Sequence, residues 1–112
     1  MKRVRIGCVV EGHGEVEAVP VLIRRIAQDA SPTFEVEIPR PIRVPRSRLL
    51  RPAELERAVL LASRQIGGAG AILVLLDSDD DCPATLGPEL LQRAQQARSD
   101  LPIAVVLAKR EF

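Results

Sequence analysis

Three carboxylates stand where an apolar run stops. Glu11 follows Val4 to Val10, Asp77 follows Ala71 to Leu76, and Asp79 lies two residues further on. A carboxylate accepts or returns a proton, or supplies hard oxygen ligands to a cation. Brought together, such acids repel, at about 4 Å and an effective dielectric near 20 by about 4 kcal/mol per pair. Protons or a hard cation must then neutralise them, and oxygen-only ligands favour Mg²⁺ or Mn²⁺. The bland alternative is a solvated aspartate loop that caps the helix near Pro88. The two readings stand level on spacing alone.

The chain has other groups of chemical interest. Glu15 reads as a ligand neighbour or as an acid that favours a helix start through the dipole. His13, the only histidine, reads as a solvated loop residue, with phosphate contact or proton shuttling as the alternative. Asp80 and Asp81 read as solvated or outer ligands. Five arginines, Arg40, Arg43, Arg46, Arg48 and Arg51, occupy one stretch without an acid. They are candidates for a phosphate-contacting arm, since basic side chains supply most nonspecific nucleic-acid affinity. A solvated charged loop is the competing reading.

The elements that must position these groups follow from hydrophobic spacing. Val4 to Val10 reads as a strand ending in a glycine turn, Glu11 to Gly14, and Phe34 to Ile38 as a second strand. Ala71 to Leu76 and Ile103 to Ala108 are unbroken apolar runs, the mark of strands covered on both faces. Between them lie helical patterns from Ala18 to Asp29, with Val19, Leu22, Ile23 and Ile26 inward, from Ala53 to Ile66, and from Pro88 to Ser99. Gly12 and Gly14 are expected to serve turn geometry and close backbone approach. Pro39 to Pro52, with four prolines and five arginines, reads as an extended, exposed loop. Four strands alternating with three helices predict an α/β fold with a mostly parallel sheet. In such sheets functional groups gather at the carboxyl ends of the strands, which aims Glu11, Asp77 and Asp79 at one rim.

Composition narrows the field. A chain of 112 residues makes one domain, and 46% hydrophobic content supports a packed core without disulfides. The net charge of +1, from 16 basic and 15 acidic residues, says little about partners. Tyrosine is absent, so no tyrosyl intermediate with DNA forms within this chain. Two cysteines, Cys8 and Cys82, give neither a disulfide framework nor zinc spacing, which suits a cytoplasmic setting. No window approaches a membrane span. An EF-hand starting at Asp77 fails at Cys82 and Pro88. A dinucleotide fingerprint fails at Glu17, and no P-loop lysine motif occurs.

Val10-Glu11-Gly12-His13-Gly14-Glu15 and Leu75-Leu76-Asp77-Ser78-Asp79 resemble the Toprim domain. That domain is shared by bacterial primases, topoisomerases, recombination-repair proteins, small ribonucleases and the overcoming-lysogenisation-defect nucleases. The likeness is greatest to small bacterial Toprim-like proteins related to those nucleases. They open on VEGxxE and carry Arg-Glu-Phe after the last core strand, here Lys109-Arg110-Glu111-Phe112. The resemblance implies a single Rossmann-like Toprim domain over 1–112, with about four strands and three helices. It implies Mg²⁺ (or Mn²⁺) held by Glu11, Asp77 and Asp79, with Glu11 also the general acid or base in phosphodiester hydrolysis. Glu15, Asp81 and Glu111 would stand behind these ligands. His13, Arg43, Arg46, Arg48, Lys109 and Arg110 would face phosphate on DNA or RNA. By the same analogy an ATPase on a separate polypeptide is an expected partner. Relatives continue past Arg-Glu-Phe where this chain stops, which reads as a fragment or a minimal version. A catalytically weak nucleic-acid-binding or assembly module, and a small phosphatase-like protein, are the alternatives.

Overall fold

The computed structural model describes residues 2–31, 33–77 and 83–108, without the side chains of Lys2, Phe34 and 83–85. Its elements run β1 (Lys2–Val10), α1 (His13–Ala30), β2 (Phe34–Glu37), β3 (Ile42–Arg43), α2 (Arg46–Leu49), α3 (Glu54–Gln65), β4 (Ala71–Asp77), α4 (Pro83–Ala97) and β5 (Ile103–Ala108). The order across the sheet is β2-β1-β4-β5, every described pairing is parallel, and β3 also pairs with β1. The fold is therefore α/β and Rossmann-like, with five strands and four helices among the described residues where spacing predicted four and three. No helix among the described residues is long and apolar enough to cross a membrane.

Alternation along the strands sorts the core into two layers. Val9, Ile72, Val74 and Leu76 pack on one face against Leu55, Ala58, Val59 and Ala62 of α3 and Leu90 and Ala94 of α4. Cys8 and Val10 pack on the other against Val16 and Val19 of α1, with Ile38. Gly7 belongs to the first face, where a Cβ would come within 3.0 Å of the Ala62 carbonyl oxygen, so its bare backbone lets α3 cross close to β1. Gly67, in the left-handed region at φ 70°, closes α3. Its N–H and that of Gly68 donate to the carbonyls of Arg64 and Ser63, a Schellman ending.

Five expectations change. α1 begins at His13, not near Ala18, and carries Pro20 in its interior. Proline there removes one helical bond and costs about 3 kcal/mol. Burial of Val16, Val19 and Pro20 against the sheet opposes that cost. Leu22 and Ile26, expected inward, are exposed, because α1 lies over the β1 side of the sheet alone. For the same reason β5 is not covered on both faces: Ala104, Val106 and Ala108 face outward. The fourth change concerns Pro39 to Pro52, which is not an extended, exposed loop. It forms β3 and α2 and buries Pro41, Val44 and Leu49. β2 pairs with the first half of β1 and β3 with its last two residues, Val9 and Val10. The break between them falls at Pro39 and Pro41, which have no N–H to give to a ladder. The last helix, for its part, starts at Pro83 and so contains Pro88, five residues before the predicted start.

Candidate active site

β1 and β4 are neighbours, with Val10 opposite Leu75. Glu11 is the first residue past one strand and Asp77 the last of the other. The connections from β1 run to β2 and β3 on one side and then to β4 on the opposite side, so the order of the sheet reverses at this seam. In open α/β sheets that reversal, at the carboxyl ends of the strands, opens the crevice in which ligands bind. The two predicted acids meet there.

Glu11 is half-buried. Burial pushes its carboxyl above the usual range, and the nearby negative charges of Asp77 and Glu15 push the same way. The Asp77 backbone N–H, donated to the Glu11 carboxylate, and the positive charge of Arg46 pull against them. The balance favours the protonated form more than in a free glutamate. That bias shifts Glu11 in the direction that suits proton transfer.

Arg46 opens α2 and is also half-buried. Its Nε donates to the Asp77 carbonyl oxygen at 3.1 Å, which clamps α2 to the end of β4. A guanidinium therefore stands among the acids at the seam. Sequence reasoning placed Arg46 with the phosphate-binding residues but gave no sign of this bond. The single helical turn that aims it, between Pro45 and Pro52, has no hydrophobic period to betray it.

Glu15 lies in the first turn of α1, where its Oε2 accepts the Gly12 N–H at 2.5 Å. That bond satisfies one of the orphan donors of the helix start. A Cβ on Gly12 would meet only the end of the Glu15 side chain, which can swing aside at the cost of its bond to the Gly12 N–H. At Gly14 a Cβ meets nothing within 4 Å, so close backbone approach demands a glycine at neither position. His13 opens α1 and is exposed.

The other arginines part company with Arg46. Arg43 sits on β3 beside Val10 and is exposed, and Arg48 Nε donates to Glu54 Oε2 at 3.3 Å. Asp79, Asp81, Lys109, Arg110 and Glu111 lie outside the described residues. Among the described residues no group of three acidic, histidine or cysteine side chains is placed to hold a metal ion. Glu11 and Asp77 provide two oxygen-bearing side chains at the seam. No family model, curated protein or solved structure matches the chain.

Proposed function

We propose that the chain is a Toprim-type nuclease domain that hydrolyses phosphodiester bonds of DNA or RNA with the help of Mg²⁺ or Mn²⁺. The observation that carries this reading is the meeting of Glu11 and Asp77 at the carboxyl ends of adjacent parallel strands, with the Glu11 carboxyl biased toward its protonated form. All its donors are oxygens and like charges crowd them, the chemistry that suits a hard cation. Glu11 and Asp77 would hold the ion, joined by Asp79 two residues on. Held by these residues, a divalent cation would supply Lewis-acid chemistry, drawing charge from phosphoryl oxygens and making water more acidic.

The roles of the side chains follow from their surroundings. Glu11 takes the proton of the attacking water on a carboxylate oxygen, or returns one to the departing oxygen. Its raised pKa brings both tasks nearer to neutral pH. Arg46, fixed by the Asp77 carbonyl, holds positive charge beside the position where a phosphoryl oxygen gains negative charge. With no tyrosine in the chain, water is the nucleophile, which favours hydrolysis over strand passage. An ATPase on a separate polypeptide is the proposed partner, and copurification from the native host tests that part.

The central test incubates the protein with supercoiled DNA and with RNA in Mg²⁺ or Mn²⁺. Cleavage is expected, reduced at least ~100-fold in Glu11→Gln and in Asp77→Ala. No cleavage by the unsubstituted chain, or equal cleavage by Asp77→Ala, would refute the proposal.

A further inference from the structure

We infer that Arg43, Arg48 and Arg57 form a groove that grips the phosphates of a polynucleotide strand beside the acidic seam, with Glu54 as its built-in counter-anion. The groove encloses about 190 Å³ and is lined by these four residues together with Ile42 and Leu61, among others. Its three arginines come from three different elements, β3, α2 and α3. Arg57 lies outside the arginine-rich stretch and joins it only through the fold.

Charge in the groove is not balanced from within. The Glu54 carboxylate serves two cations, Arg48 at 3.3 Å and Arg57 at 3.8 Å. Among the described residues Arg43 has no ion-pair partner. Both guanidinium partners of Glu54 are open to water, with 56% and 72% of their side chains exposed. Exposed pairs of that kind add little to folding stability, so stability does not account for two cations sharing one acid beside a third that pairs with none. An anion from outside does. A guanidinium presents a planar fork that matches phosphate oxygens, and phosphate is a stronger competitor for it than one shared carboxylate.

Position selects a polynucleotide over a lone phosphate. Arg43 lies opposite Val10, the residue before Glu11, so the groove begins one residue from the seam. One turn of α2 separates the two sites: Arg46 reaches the Asp77 carbonyl, while Arg48, two residues on, reaches into the groove. A strand seated in the groove therefore leads toward Glu11 and Asp77. The lining has no ring on which a base would stack, so the grip is on the backbone and indifferent to sequence. The choice of occupant rests on the nuclease reading; the imbalance of charge does not.

The test is a binding titration with a fluorescein-labelled single-stranded oligodeoxynucleotide of mixed sequence, in EDTA, across a series of salt concentrations. The combined variant Arg43→Ala, Arg48→Ala, Arg57→Ala should flatten the slope of log K against log salt by about 2, from roughly 0.7 per lost phosphate contact. Glu54→Gln, which frees two guanidinium groups, should bind more tightly than the unsubstituted protein, a gain that no loss of structure can mimic. An unaltered slope in the triple variant with native circular dichroism overturns the inference, and so does no binding by the unsubstituted protein at low salt. Tighter binding of labelled poly-glutamate than of the oligonucleotide assigns the groove to an acidic polypeptide and overturns it as well. Cleavage is assayed separately with Mg²⁺. A lost slope without cleavage by any of the proteins keeps the groove and removes the nuclease reading, whereas an unaltered slope with Glu11-dependent cleavage does the reverse.

Discussion

Arg93 holds the corner on which the basic segment is mounted, and its removal should loosen that corner in particular. The side chain leaves α4, donates from Nε to Glu56 Oε1 at 3.1 Å and brings Nη2 within 2.9 Å of the same oxygen as an ion pair. Nη2 also donates to the carbonyl oxygens of Arg51 at 2.9 Å and Leu49 at 3.4 Å. The other oxygen of Glu56 accepts the Ala53 N–H at 3.1 Å, and Ala53 is held in the left-handed region at φ 70°. That conformation costs a non-glycine residue about 1–2 kcal/mol, so it needs support from its neighbours. The Arg93 and Glu56 side chains are 21% and 29% exposed, which puts their pair above a surface pair and below a buried one. With the carbonyl bonds partly replaced by water, Arg93→Ala should cost about 2 kcal/mol, and near 4 °C per kcal/mol that lowers Tm by about 8 °C. Urea denaturation followed by circular dichroism measures the loss, and an unchanged m value marks it as stability rather than a new denatured state. Arg93→Met keeps the apolar stem and should recover only the packing share. Paired with Glu56→Gln in a double-mutant cycle, Arg93→Ala should show a coupling of about 1 kcal/mol. Amide exchange should quicken in 49–53 ahead of the sheet. A loss under about 0.5 kcal/mol, or strict additivity with Glu56→Gln, refutes the reasoning.

Glycine and titration experiments probe other parts of the frame. Gly70 sits at φ 127°, just before β4, and a Cβ there would collide with the Arg5 carbonyl, so Gly70→Ala should destabilise by about 3 kcal/mol in urea. Gly14→Ala should stabilise by up to about 1 kcal/mol, since the added Cβ meets nothing and an alanine suits α1. Burial pushes the Cys8 thiol up to about 11. In a Cys82→Ser background a thiol reagent at neutral pH should therefore label Cys8 at the rate of unfolding; rapid labelling of the native protein would contradict its burial. The Arg98 guanidinium, bonded to Asp100 through Nε at 2.9 Å and Nη2 at 2.8 Å, lowers the Asp100 carboxyl to about 2. A depressed folded pKa means a contribution complete above about 4 and lost as pH falls toward 2. Asp100→Asn should remove that slope from the acid-denaturation profile, and an unchanged profile would exclude the pair as its source.

How far the fold could be read depended on how plainly burial shows in residue type. β4 and β5 each present an unbroken apolar run and β1 a Val- and Ile-rich one interrupted at Arg5, and each ends within one residue of its predicted end. That run does not reveal which face is covered. Val106 is as apolar as Val74, yet one is 45% exposed and the other fully buried, because among the described residues none covers β5 on the α1 side. The start of α1 was masked by Pro20, whose local penalty is outweighed by Val16 and Val19 meeting the sheet. Pro39 to Pro52 reads as a loop for a related reason. Its prolines and arginines dominate the composition, while Pro41, Val44 and Leu49, the residues that anchor it, follow neither a strand nor a helix period.

Glu11 and Asp77 were legible as partners because each ends an apolar run and parallel sheets align such ends. The arginines were legible only as a charge, since the property that separates them is direction. β3 sets Arg43 beside Val10, α2 sends Arg46 to the end of β4, and two residues later it sends Arg48 to Glu54. A two-residue step in an extended chain would keep Arg46 and Arg48 on one side. In a helical turn the same step swings the side chain by about 200°, which puts the two on opposite sides of the backbone. The short helix is thus what divides one basic segment between the acidic seam and the groove. Unwinding it alone, by a Leu50→Pro substitution that removes the N–H bonded to the Arg46 carbonyl, should disturb both sites at once while leaving the sheet intact.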